Sequence, residues 1–233
     1  MKISIITASH LRKNVLKLFF LSMDRLRNES GIDIDVICVG DQDQKTMADK
    51  HDIHFIPLPN KPVSRKFQKA LTTAKSYSPD GVLILGSDDI ISTQTINNLS
   101  SGLDEVDVSG LSLIYFYSTL PDTAGMLLEM QRGYMFGAGK MIGRELLNKL
   151  NWVLWEKDAN FGLDGMAIKR MQAIPYTHTI SCGTLVDVKS RINMNKFSFW
   201  QKKLYSVDPY IFLDILSERE RQQLEIIKSR EVL

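Results

Sequence analysis

Gly81-Val82-Leu83-Ile84-Leu85-Gly86-Ser87-Asp88-Asp89 is the stretch that decides the fold of this chain. Val82 to Leu85 is a continuous apolar run, too short for a helix, and it stops abruptly in a glycine, a serine and two aspartates. The reading is a buried strand with a polar group at its carboxyl end.

Upstream, Ile3 to Thr7 is a short β-branched run, and Asn14 to Arg27 then carries Val15, Leu16, Phe19, Phe20, Met23 and Leu26 at helical spacing. Asp33 to Val39 reads as a second buried strand, and His54 to Leu58 as a third, stopped by Pro57 and Pro59. Between Ser64 and Tyr77, Phe67, Ala70, Leu71 and Ala74 form one apolar face of a helix, with Arg65, Lys66, Lys69 and Lys75 on other faces. Strands alternating with helices predict an α/β fold with a mostly parallel central sheet flanked by helices. Ligands bind such sheets outside the carboxyl ends of the strands, so loops starting at Thr7, Asp41 and Asp88 should gather on one edge.

Downstream, Val108 to Ser118 reads as a strand, Gly133 to Gly139 as a glycine-rich loop and Arg144 to Leu150 as a helix. Trp152 and Trp155 read as neighbours on a helix, and a further helix comes after Gly162-Leu163-Asp164, near Gly165 to Met171. Two terminal helices start at Asp208-Pro209 and at Ser217, where Glu220 completes a capping box. The expected division is a catalytic domain over residues 1–175 and an extension over 176–233 packed on the same domain.

Composition excludes several classes. At 44% hydrophobic and 24% charged residues the chain is neither disordered nor fibrous, and no repeat is visible. Met1 to Asn14 meets His10, Arg12 and Lys13 too early for a signal core, and no window approaches the roughly 18 to 20 apolar residues of a membrane span. Cys38 and Cys182 lack partners at metal-ligand spacing, which argues against structural zinc and suits reduced thiols. The expected compartment is the cytoplasm, that of the host if the protein is viral. A net charge of +2 conceals a basic, aromatic segment from Lys189 to Tyr205, compatible with a solvated surface, a nucleic acid or an anionic lipid surface.

Two adjacent carboxylates at a strand end repel each other unless a cation, hydrogen bonds or solvent compensate them. Asp88 and Asp89 are therefore candidate ligands for Mg²⁺ or Mn²⁺, although a strand-to-helix turn in which either aspartate caps the next element is an equally simple pattern. Asp164, presented by a glycine loop at a helix start, is a candidate general base or an N-cap. No P-loop, Ser-His-Asp array or zinc signature uses these residues.

Thr7-Ala8-Ser9, Gly40-Asp41, Ser64 to Ala74, Gly86 to Asp89 and Gly162 to Gly165, in this order, resemble the family 2 glycosyltransferases and their GT-A relatives over roughly residues 1–175. The resemblance implies the GT-A architecture with carboxyl-terminal helices, a nucleotide-diphospho-sugar donor and a divalent cation. It puts Thr7, Ala8, Ser9, Asp41, Lys66, Gln68, Ser87 and Asp88 around the donor, Asp88 and Asp89 on the metal, and Asp164 as the catalytic base. Gly137, Gly139 and Trp155 fall on the acceptor side, and His178 on a late metal ligand used by some relatives. The motif departs from the family at Gly86, where an aspartate is usual, at Phe67, where an arginine is usual, and at Leu163, where an acidic residue is common.

The function this implies is inverting transfer of a sugar, UDP-linked by preference, to an acceptor hydroxyl on a glycan or, as in compact bacteriophage enzymes, on a hydroxymethylated DNA base. A nucleotidyltransferase and a non-catalytic nucleotide-sugar-binding module are the alternatives. A nucleotidyltransferase is expected to carry a glycine-rich, lysine-containing loop after the first strand, and this chain has Ala8-Ser9-His10-Leu11-Arg12 there.

Overall fold

The computed structural model describes residues 1–123, 125–131, 133–192, 197–201 and 203–231. The first half alternates as the sequence predicts: β1 (Lys2–Ala8), α1 (Lys13–Glu29), β2 (Asp33–Gly40), α2 (Lys45–Asp49), β3 (His54–Pro57), α3 (Val63–Ala74) and β4 (Gly81–Ile84). Then come β5 (Asp89–Ile91), α4 (Thr93–Gly102), β6 (Val108–Leu111), β7 (Leu113–Ser118), β8 (Gly125–Met130) and β9 (Lys140–Gly143). The remainder is α5 (Arg144–Lys149), α6 (Leu163–Met171), β10 (His178–Ser181), β11 (Leu185–Lys189), α7 (Phe197–Gln201), β12 (Tyr205–Val207), α8 (Tyr210–Leu213) and α9 (Glu218–Glu231).

Seven strands form the central sheet in the order β10-β6-β9-β4-β1-β2-β3. It is parallel except where β9 lies antiparallel between β6 and β4. Both faces are covered, which is why its strands read as near-continuous apolar runs. Ile3, Ile5, Val36, Cys38 and Leu83 face the α1 side, where Phe19, Phe20 and Met23 pack. Ile6, Ile37, Val39, Val82 and Ile84 face α3 and α6, against Ala70, Leu71 and Met171. Each large buried side chain contributes about 1.5–3 kcal/mol.

A second sheet, β12-β8-β7-β11-β5, was not legible in the sequence. The run Val108 to Ser118, which reads as one strand, is two strands broken at Ser112: its first half belongs to the central sheet and its second half to the other. Residues 178–189, which the sequence reading assigns to an extension, supply one strand to each sheet. The helix expected to carry both tryptophans is absent; they lie in the turn after α5, where Asn151 and Trp152 adopt left-handed backbone.

The terminal helices pack back on the core. The Ser217 capping box forms, the Glu220 carboxylate accepting the Ser217 N–H at 2.7 Å. Glu220 also receives the Arg25 guanidinium at 3.0 Å, joining α9 to α1 through a buried ion pair. Among the described residues no helix is long and apolar enough to cross a membrane.

Candidate functional site

Leu85 extends β4 by donating its N–H to Ile6. The chain then turns through Gly86, Ser87 and Asp88, leaving the central sheet for the second one. There β5 pairs antiparallel with β11, and Asp89 stands directly opposite Asp187. This pairing, across about a hundred residues of chain, makes a cluster of three carboxylates: Asp88, Asp89 and Asp187 each offer an oxygen within 4.8 Å of the others.

Two cations meet the cluster. Arg12 Nη1 donates to Asp88 Oδ2 at 2.6 Å, and Lys189 Nζ to Asp187 Oδ2. Leu11 and Arg12 both hold left-handed backbone (φ 53° and 40°), a conformation costing about 1–2 kcal/mol per residue. The Leu11 N–H is held by Asp41, and the Arg12 guanidinium is aimed at the strand-end turn.

Burial would raise the proton affinity of Asp88, but Arg12 and Lys189 outweigh it and hold the carboxyl below its usual range. Burial, then the charges of Asp187 and Asp88, push Asp89 well up. Burial and the Asp88 charge push Asp187 up to about 7. Three carboxylates against two cations leave the cluster short of positive charge, and Asp187 Oδ1 is buried without a hydrogen-bond partner. An oxygen-only donor set with an orphaned oxygen fits a hard divalent cation such as Mg²⁺ or Mn²⁺.

The cluster forms one end of a cavity of about 280 Å³ at the carboxyl edge of the central sheet. Ala8, Arg12, Ser87, Asp88, Asp89, Asp187 and Lys189 line that end; Val63, Phe67, Ile84, Trp155 and Leu163 make an apolar wall, with Asp164 and Gly137 between the two loops that meet there. Asp164 is exposed in the first turn of α6, whose N-cap is Gly162, so it is not a capping residue. Its carboxylate occupies the space where a Cβ on Gly137 would sit, 1.7 Å from Oδ1, which is why a glycine is needed at that position.

The structure thus brings Ala8, Ser87, Asp88, Asp89, Gly137, Trp155 and Asp164 to one cavity. Five other residues assigned to the donor or acceptor are occupied elsewhere. Thr7 is fully buried in β1. Ser9 is turned inward, its hydroxyl donating to Gln44 Oε1 at 2.6 Å over Gly40, where a Cβ would clash. Lys66 is buried with Nζ on the Ser9 carbonyl, and Gln68 spends its amide on the backbone of Trp152, Leu154 and Trp155. Gly139 (φ 75°) turns the chain into β9 against Leu111. Asp41 sits beside the cavity rather than on its wall. Burial would raise its carboxyl, but the Leu11 N–H, His10 and Lys66 hold it below the usual range. His178 opens β10 at the amino-terminal edge of the sheet, opposite the cluster, so the expected late metal ligand is not there.

Sequence reading missed Arg12, Asp187 and Lys189. The last belongs to the segment that reads as a basic surface, yet it is buried against Asp187. A signal was present in Leu185-Val186-Asp187-Val188-Lys189, a β-rich run carrying two charges that would be costly to bury unless paired. Of the rest of that segment, Phe197 is core and Tyr205 exposed; Lys196, Lys202 and the side chains of Phe199 and Trp200 lie outside the described residues.

No protein-family model matches the chain, and no curated protein does. Among solved structures, it is similar to a CMP:2-keto-3-deoxy-manno-octonic acid synthetase complexed with CTP, at 12% identity and a TM-score of 0.50, covering 87% of this chain and 96% of that one. It is also similar to the 4-diphosphocytidyl-2C-methyl-D-erythritol synthase of Anaerococcus prevotii DSM 20548, at 12% identity and a TM-score of 0.49, covering 78% and 86%. The likeness shows a nucleotide-binding α/β fold related to GT-A. It corrects the functional expectation: the structures that share the architecture are nucleotidyltransferases, not glycosyltransferases, and neither a UDP-linked donor nor a bacteriophage-type acceptor finds support in them.

Proposed function

We propose that this chain is an enzyme, a metal-dependent nucleotidyltransferase that transfers the nucleotidyl group of a nucleoside triphosphate to an oxygen of a polyhydroxylated acceptor. The observation that carries the reading is the cluster of Asp88, Asp89 and Asp187 with Arg12 and Lys189, set at the carboxyl edge of a sheet whose architecture a CTP-bound synthetase shares. Arg12 supplies the positive charge after β1 that a glycine-rich, lysine-containing loop would otherwise supply.

In the reaction the acceptor oxygen attacks the α-phosphorus, a new P–O bond forms, and the bond to pyrophosphate breaks with its electron pair leaving on pyrophosphate. Arg12 and Lys189 face the phosphates and offset that charge as it develops. Asp88, Asp89 and Asp187 would hold the divalent cation, which when bound neutralises phosphate charge. At the other end Asp164 accepts the proton of an acceptor hydroxyl, while Trp155, Phe67 and Leu163 give the apolar face of a polyol a dry surface.

The test has two stages. CTP and the other nucleoside triphosphates, with Mg²⁺ or Mn²⁺, should raise the melting temperature by mass action, and chelator or Asp88→Asn should remove the rise. Pyrophosphate release with a panel of sugar acids and sugar phosphates should then fall about a hundredfold or more in Asp88→Asn. Absence of any rise with every triphosphate refutes the proposal; binding without turnover leaves a non-catalytic binding module.

A further inference from the structure

Lys140 opens β9 immediately after the Gly137-Ala138-Gly139 turn. It is 1% exposed, and its Nζ has no hydrogen-bond partner among the described residues. By register it stands beside Ile84, which lines the cavity. The other buried cations around the site are all engaged: Arg12 by Asp88, Lys66 by the Ser9 carbonyl, Lys189 by Asp187.

An unpaired ammonium in an apolar wall is costly, and for stability alone a methionine of similar length would serve better. Burial lowers the proton affinity of Lys140, and the one ionised group that opposes this is Asp164. Asp164 in turn receives no hydrogen bond from a described residue, yet its carboxylate rests on the backbone of Gly137, three residues before Lys140. The two charges thus lie on opposite sides of one turn, with little water between them to screen their attraction.

We propose that Lys140 is a positioning residue for Asp164: its ammonium, buried behind the 137–139 turn, holds the carboxylate against Gly137 and facing the acceptor end of the cavity. It touches no substrate and acts through Asp164 alone. Its catalytic consequence rests on the function proposed above; its structural consequence does not.

The test compares wild type, Lys140→Met, Lys140→Arg, Asp164→Asn and the double variant Lys140→Met/Asp164→Asn. In crystals, the Asp164 side chain should lie on Gly137 in the wild type and leave it in Lys140→Met; an unmoved carboxylate overturns the proposal whatever the enzyme does. Lys140→Met should melt at or above the wild-type temperature, and a marked fall would mean that the side chain is there for packing. Lys140→Met should release pyrophosphate about tenfold more slowly at unchanged KM for the triphosphate, Lys140→Arg should recover most of the rate, and Lys140→Met should cost nothing further in the Asp164→Asn background. An equal loss in that background overturns the assignment. If the wild type releases no pyrophosphate, the functional reading fails while the crystal comparison still decides this one.

Discussion

Gly137→Ala separates the position of Asp164 from its chemistry. The added Cβ would sit 1.7, 2.1 and 2.4 Å from Asp164 Oδ1, Cγ and Oδ2, where ordinary contact begins at 3.4 Å. The carboxylate must therefore retreat by about 1.7 Å, the difference between 3.4 and 1.7. Gly137 does not hold left-handed backbone, so alanine is tolerated there and restricts the unfolded chain, a gain of about 0.4–1 kcal/mol. Asp164 is exposed and can swing into solvent, so the net change in stability should stay within about 1 kcal/mol. A displacement of that size costs about a hundredfold in rate if the carboxylate is the base. Urea unfolding reads the first quantity and pyrophosphate release the second. Gly137 also lines the cavity, so the same substitution in Asp164→Asn separates displacement from simple obstruction: less than a threefold further loss is expected. A Gly137→Ala enzyme within threefold of wild type, or one destabilised by more than about 2 kcal/mol, would refute the reasoning.

Two other outcomes rest on the packing. Glu220 is fully buried on Arg25, so Glu220→Ala strands a guanidinium and removes the Ser217 cap; a loss of about 3–5 kcal/mol is expected in urea unfolding, largely recovered by adding Arg25→Met. Burial pushes the Cys38 thiol up to about 12, so at pH 8 a thiol reagent should label the exposed Cys182 quickly and Cys38 only as fast as the protein opens; prompt labelling of both would contradict the buried assignment.

The first half of the fold was legible because each strand there is buried on both faces and each helix is amphipathic, so local composition and period carry the signal. The second sheet was not: β5 and β12 are three residues each, and β7, β8 and β11 find their partners only through long-range pairing. The candidate site divides the same way. Asp88, Asp89 and Asp164 stood out because carboxylates come directly after a buried strand or a glycine loop, while Ser9, Lys66 and Gln68 matched a motif position and yet turn inward to hold the backbone. The glycosyl-transfer expectation failed for a related reason. A carboxylate motif at a strand end belongs to every chemistry that places phosphates and a cation on this architecture, so the motif identifies the edge and not the bond that breaks.

By itself, then, the sequence determined an α/β sheet, its functional edge and the need for a charge partner beside Asp88 and Asp89, since apolar runs and adjacent carboxylates are properties of neighbouring residues. Only the tertiary structure decided what the partners are. Asp187 and Lys189 reach the cluster because β11 pairs with β5, Arg12 because two left-handed residues aim it back, and Asp164 rests on Gly137 because α6 meets the turn before β9. Register and backbone handedness place these charges within a few ångströms of one another, and neither is set by the residues adjacent in the chain.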